Sequence, residues 1–180
     1  MDDSKIYHRL IGKLQYLTNT RPNIAFVVDK LSQYLESPMT EHYKAALRIL
    51  RNLKKASAAG LFFPLTTNFS LTGFVDPDWA TCPDTRRFFS SYCFFLGTTL
   101  ISWKSSKQQT VSRSSLEVEY RTLANATCES LWLLWLLRTF GINHAQPFTL
   151  YSNSQSTLHM AANPVLHERT KHIEANFHIV

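Results

Sequence analysis

Two acids, Asp76 and Asp78, stand two residues apart in the stretch Leu71 to Ala80, LTGFVDPDWA, with Trp79 directly behind them. Carboxylates hold hard divalent cations and move protons, so this stretch is the first place to look for chemistry. Residues two apart share a face if a strand continues, but Pro77 cannot donate to a central ladder and marks the strand's end. Asp76 is therefore the better inward group. Further along, Glu117 and Glu119 open a long helical stretch, where they fall ~200° apart and cannot both face the packed side. Glu117 stands four residues before Arg121, the favoured order for an ion pair, and reads as the surface acid. Glu119 is left for the interior or the site, or equally for an acid stabilised by the helix dipole at a helix start.

The elements that must position these acids follow from the apolar period. Ile6, Leu10, Ile11, Leu14, Tyr16 and Leu17 predict a first amphipathic helix, stopped by Thr18-Asn19-Thr20. A second starts at Pro22 and runs to Leu35 before Ser37-Pro38, and Thr40 reads as the N-cap of a third. After Gly60 the period becomes extended. LFFPL, FSLTGFV, SSYCFFLG and TLISWKS are aromatic and β-branched runs broken by turn residues, three of them forming a meander. From an N-cap at Ser115 a helix of about 26 residues reaches Gly141, with Val118, Leu123, Ala126, Leu131, Leu134 and Leu137 as its buried positions. FTLYSNS at 148–154 is a strand and SQSTLHMAAN a helix ended by Pro164. The order β-β-β-α-β-α predicts an α+β fold, a mixed sheet flanked by helices and preceded by a small helical segment.

Composition narrows the classes. With 44% apolar and 13% aromatic residues in 180, the chain can bury one core or one core plus a small appendage. The three cysteines (Cys82, Cys93, Cys128) lack a C-x-x-C spacing, read as core residues and fit a reducing compartment. The longest apolar run, LWLLWLL, has seven residues against the ~20 needed to cross a bilayer, and the first ten residues carry no signal region. The expectation is a soluble intracellular protein without a membrane partner. Net charge is +6, and the excess lies in residues 1–62, which hold 10 Lys and Arg against 5 Asp and Glu. On the third helix Lys44, Arg48, Arg51 and Lys55 recur at spacings of four, three and four and share one side. Such a ridge suits the phosphates of a nucleic acid as well as an ordinary solvated face. His167, His172 and His178 do not share a helix face, which argues against zinc, and Trp79, Trp103, Trp132 and Trp135 read as core or core-rim residues.

The segments YHRLIGKLQYLTNTRPNIAFVVDKLSQYLESP, GFVDPDWATCPDTRRFFSSYCFFLGTTLISWKSSKQQTVSRSSLEVEYRTLANATCESLWLLWLL and LYSNSQSTLHMAANPVLHERTKHIEANFHIV resemble the Pol polyprotein of copia-type LTR retrotransposons. The motifs D-x-D-W-A, S-R-S-S-x-E-x-E-Y-R and R-T-K-H-I occur in the family's order. The resemblance implies a helical remnant of the reverse transcriptase over residues 1–62. It implies a ribonuclease-H-like domain, truncated at its C-terminus, over 63–180. The resemblance implies no polymerase centre within these residues.

The implied activity is cleavage of the RNA strand of an RNA–DNA hybrid with two Mg²⁺ or Mn²⁺ ions held ~4 Å apart by three or four carboxylates. Asp76 corresponds to the family's acid on the first strand and Glu119 to that on the long helix. The third acid belongs in a motif resembling Y-C-D-N-Q-S, where this chain reads Tyr151-Ser152-Asn153-Ser154-Gln155-Ser156, so Asn153 stands where Asp is expected. Asn offers a neutral carbonyl oxygen in place of an anionic one. The fourth position corresponds to Glu174, one methylene longer than the family's Asp, or lies beyond Val180. Hydrolysis is therefore expected to be weak or absent, leaving a nucleic-acid-binding module or a decayed copy as alternatives. The candidate contacts to a hybrid or other nucleic acid are Lys44, Arg48, Arg51, Lys55, Lys104, Lys107, Arg113, Arg169 and Lys171, with Arg86 and Arg87 beside them. Other parts of the Pol polyprotein are further partners the resemblance implies.

Overall fold

A computed structural model describes residues 4–65, 68–78, 89–107, 115–142 and 147–162. The chain divides into two compact units, residues 1–62 and 63–180.

The first unit contains three helices, α1 (Ser4–Leu17), α2 (Pro22–Ser32) and α3 (Thr40–Lys55). Their inward stripes meet in a core of Tyr7, Ile11, Leu14, Ile24, Val28, Leu31, Ala46 and Ile49. Each fully buried large apolar side chain contributes roughly 1.5–3 kcal/mol. Tyr7, absent from the stripe read in the sequence, is fully buried, and its hydroxyl donates to the Leu31 carbonyl at 2.8 Å. Burial first, and then the nearby Tyr34, push the Tyr7 phenol above its ordinary value. Tyr16, assigned to the same stripe, is instead 80% exposed. The aromatic ring carries no sign of which of two positions on the helix is inward. Arg21 closes the unit by donating to the carbonyls of Ala56 and Ser57 at 2.9 and 2.6 Å, past the C-terminal end of α3, where a cation also meets the helix dipole. Thr40 begins α3 rather than capping it; Met39 is the N-cap, and its N–H donates to His42 Nδ1 at 3.1 Å. The run LFFPL forms no strand, and Phe62, Phe63 and Leu65 are exposed. Pro64 supplies no N–H to a ladder.

The second unit is α+β. Strands β1 (Leu71–Asp78), β2 (Phe89–Leu96), β3 (Thr99–Lys107) and β4 (Thr149–Ser152) make a mixed sheet in the order β3-β2-β1-β4, accompanied by α4 (Ser115–Thr139) and α5 (Gln155–Ala162). The meander β1-β2-β3 is antiparallel, and β4 returns parallel to β1 through the α4 crossover. Gly97, at φ 60°, makes the turn between β2 and β3 in the left-handed region that favours glycine. At the far end of α4, Gly141 (φ 78°) closes the helix. The Ile142 and Gly141 N–H groups donate to the carbonyls of Leu137 and Arg138, both at 3.0 Å, in a Schellman arrangement.

Helix α4 lies on the sheet through Ala126 and Leu133, which meet Leu71, Val75 and Phe94, with Tyr92, Ile101, Leu134, Phe148 and Leu150 packed around them. Gly73 permits this closeness. A Cβ there would stand 2.5 Å from Phe94 Cε1 and 2.6 Å from Leu150 Cδ1. A polar clamp joins helix and sheet as well: the Ser102 hydroxyl donates to Glu129 Oε1 at 2.7 Å, and Tyr92 hydrogen-bonds the same carboxylate. Burial first, then the charge of Glu129 and that hydrogen bond, hold the Tyr92 phenol far above its ordinary value. The apolar stripe of α4 differs from the one read in the sequence. Val118, Leu123, Ala126 and Leu137 are buried and Leu134 packs at the core's edge, but Leu133 is buried while Leu131, Trp132 and Trp135 are exposed by 53, 51 and 61%. Because LWLLWLL is apolar on every side, its period cannot say which side faces in. Cys128 is exposed and Cys93 half-buried, so of the cysteines expected in the core these two are outside or at its edge. No helix of the described residues is long and apolar enough to cross a membrane.

Two outcomes follow from this packing. Gly73→Ala overfills the seam between β1, β2 and β4 and should destabilise the second unit by about 1–3 kcal/mol in denaturant titration read by tryptophan fluorescence. The raised Tyr92 phenol means that the unfolded chain loses its proton first. The stability it contributes is therefore complete below pH 10.0 and is lost as pH rises from there towards the folded value. Tyr92→Phe should flatten the alkaline fall in melting temperature above pH 10, relative to the wild-type chain.

Candidate functional site

The register of β1 with β4 places the candidate site. Val75 pairs with Ser152 as the last parallel pair, so the next residues, Asp76 and Asn153, emerge side by side at the C-terminal ends of adjacent parallel strands. That is where open α/β sheets collect polar groups. Asn153 Nδ2 donates to Asp76 Oδ1 at 3.1 Å. A carboxylate can only accept, so the amide must turn its NH₂ towards Asp76. The Ser91 hydroxyl on β2 donates to the Asp76 backbone carbonyl, which ties the same residue to the strand on its other side. Asp76 is exposed rather than inward; Leu71, Gly73 and Val75 are the residues of β1 that turn into the core.

Glu119 reaches the same connector from the second turn of α4. Its Oε2 accepts from Thr157 Oγ1 at 2.9 Å and from the Ser154 hydroxyl. Asn153 and Ser154 are consecutive, so one short connector touches the acid of β1 and the acid of α4. Glu119 is half-buried, whereas Glu117, read as the surface acid, is 6% exposed and forms its ion pair with Arg121 at 2.9 Å. The pairing follows the i,i+4 rule. The packed side of α4 includes Glu117 because Val118 and Tyr120 turn inward around it, and a buried carboxylate requires its partner.

The structure thus brings together Asp76, Glu119 and Asn153, and adds Ser154 and Thr157, which the sequence reading missed. A signal was present: Ser154 precedes a helical run, and Thr157 stands three residues on, the spacing at which an N-cap hydroxyl meets a backbone N–H. The Thr157 N–H donates to Ser154 Oγ at 3.3 Å. Glu174, Arg113, Arg169, Lys171, Arg86, Arg87, Trp79, Cys82 and the three C-terminal histidines lie outside the described residues, as does the Asp78 side chain. Among the described residues no group of three or more His, Cys, Asp or Glu side chains is gathered as a metal would need.

Lys44, Arg48, Arg51 and Lys55 are all exposed along α3. Lys104 on β3 is exposed and Lys107 half-buried. A second basic stripe, not noticed from the sequence, runs along α1, where Lys5, Arg9 and Lys13 are exposed at spacings of four.

Over its whole length the chain is 39% identical to the retrovirus-related Pol polyprotein from transposon RE1 of Arabidopsis thaliana, of which it spans 12%. Over 173 residues, 96% of the chain, it is 35% identical to that from transposon TNT 1-94 of Nicotiana tabacum, spanning 13% of it. It is also 41% identical over 128 residues, 71% of the chain, to the secreted RxLR effector protein 161 of Plasmopara viticola, covering 90% of that protein. No protein-family model matches the chain, and no solved structure matches significantly. The identity to transposon polyproteins along the whole chain places it in the retrovirus-related Pol polyproteins of copia-type retrotransposons.

Proposed function

We propose that residues 63–180 are the ribonuclease-H-like part of this Pol segment and residues 1–62 the helical end of its reverse transcriptase. In this reading the segment engages RNA–DNA hybrids and cuts them weakly or not at all. The observation that carries it is the meeting of Asp76 and Asn153 at the ends of paired parallel strands, with Glu119 joined to the next residue of the same connector. These are the positions that correspond to the family's acids.

A two-cation centre needs three or four anionic oxygen ligands to offset its charge. The described residues supply two carboxylates, and the third position is an amide whose donor end is spent on Asp76. The Glu119 Oε2 atom already accepts two hydroxyl protons. This donor set of the described residues does not fit two divalent cations. The segment retains its means of holding a nucleic acid: the cations of α3 and α1 and Lys104 are exposed where phosphates can reach them, and phosphates fix affinity rather than sequence.

In a single-turnover assay on a labelled hybrid with Mg²⁺ or Mn²⁺, the purified chain should cut at or near the background rate, and Asn153→Asp alone should not restore cleavage. Robust metal-dependent cutting that Asp76→Asn abolishes would overturn this reading. Binding gives a second outcome. Neutralising Lys44, Arg48, Arg51 and Lys55 to Gln should weaken hybrid binding and shallow the slope of log affinity against log salt by about 0.9 for each phosphate no longer neutralised. An unchanged slope would remove α3 from the binding surface.

A further inference from the structure

We infer that the connector Asn153 to Thr157 replaces a divalent cation: its amide and hydroxyl protons hold Asp76 and Glu119 in place, so this end of the sheet is fixed without metal. The inference rests on the reading of Asp76 and Glu119 as the site's acids. Carboxylates gathered at one place repel one another, and cations or hydrogen-bond donors offset that repulsion.

Here the donors all come from five consecutive residues. Asn153 Nδ2 serves Asp76 at 3.1 Å, and Thr157 Oγ1 and the Ser154 hydroxyl serve Glu119 Oε2. Thr157 is fully buried and Ser154 is 9% exposed, so neither hydroxyl has bulk water as an alternative partner. With both protons given to Glu119, the Ser156 hydroxyl, 3.1 Å away, is left to donate to Ser154 Oγ. The same Ser154 oxygen accepts the Thr157 N–H at 3.3 Å and so caps the first turn of α5. One hydroxyl therefore fastens Glu119 of α4 to the start of α5. Glu119 acts as the acceptor on which α5 is anchored, and Ser154 and Thr157 are its positioning residues.

The test is the melting of the full chain followed by tryptophan fluorescence, which reports on residues 63–180 because all four tryptophans lie there. Melting is compared in EDTA and in MgCl₂. The wild-type midpoint should be the same in both. Ser154→Ala and Thr157→Val should lower it by about 2–4 °C, equally with and without Mg²⁺, and Thr157→Ser should restore it. Asn153→Asp sets two carboxylates in contact; its midpoint should fall in EDTA and recover in MgCl₂, a metal response that the wild-type chain lacks. If Asn153→Asp folds only in MgCl₂, the same conclusion holds. A rise of several degrees in the wild-type midpoint on adding MgCl₂ would overturn the inference. So would an Asn153→Asp variant as stable as wild type in EDTA, or one unresponsive to MgCl₂. No nucleic acid is present, so cleavage of a hybrid by the wild-type chain would bear on the proposed function alone.

Discussion

Four backbone pairs between β1 and β4, Thr72 with Thr149 through Val75 with Ser152, are the constraint on which the candidate site depends. Parallel strands cannot be joined by a tight turn, so the chain must cross from one edge of the meander to the other side of β1 before this pairing forms. Helix α4 makes that crossing. Its 25 residues span about 38 Å at 1.5 Å per residue. Its N-terminal end consequently lies near the strand ends that carry Asp76 and Asn153, and Glu119 reaches their connector.

Holding α4 at the right distance falls to two unlike interactions. Gly73 lets Phe94 and Leu150 close over β1, and Glu129 receives the hydroxyl protons of Ser102 and Tyr92 from the strands beneath it. The first is a matter of volume and the second of satisfied polarity, so they fail under different perturbations. Even a half-buried carboxylate left without its donors would lose more than the net worth of the bonds it makes.

The elements of both units were legible because period and punctuation agree: apolar spacing of 3.6, proline at the start of α2, glycine after α4, and the change to extended runs before β1. Side-chain direction was legible only where a pattern had two distinct faces. The LWLLWLL run has one kind of face all round, so Leu133 could not be told from Leu131, and two tryptophans expected at the core or its rim are more than half exposed. Glu117 was misplaced for a related reason. An ion pair between residues four apart marks a helix face without saying whether that face is wet. In the site, Asp76 and Glu119 were legible as candidates from residue type and spacing and Asn153 from the family resemblance, while Ser154 and Thr157 escaped notice because hydroxyls carry no charge and serve many roles. Their part becomes visible only when the strand register brings them to Glu119.

That Asp76 and Glu119 are gripped by neighbouring residues has a bearing on how such a chain can drift. Strand pairing fixes where Ser152 sits, and the α5 cap fixes where Thr157 sits, leaving the stretch between them no spare length. Exchanging one side chain there alters a single bond. Inserting or deleting one residue would turn Asn153 away from Asp76 and Ser154 away from Glu119 together. Changes of length between β4 and α5 are therefore far less tolerable than changes of residue type.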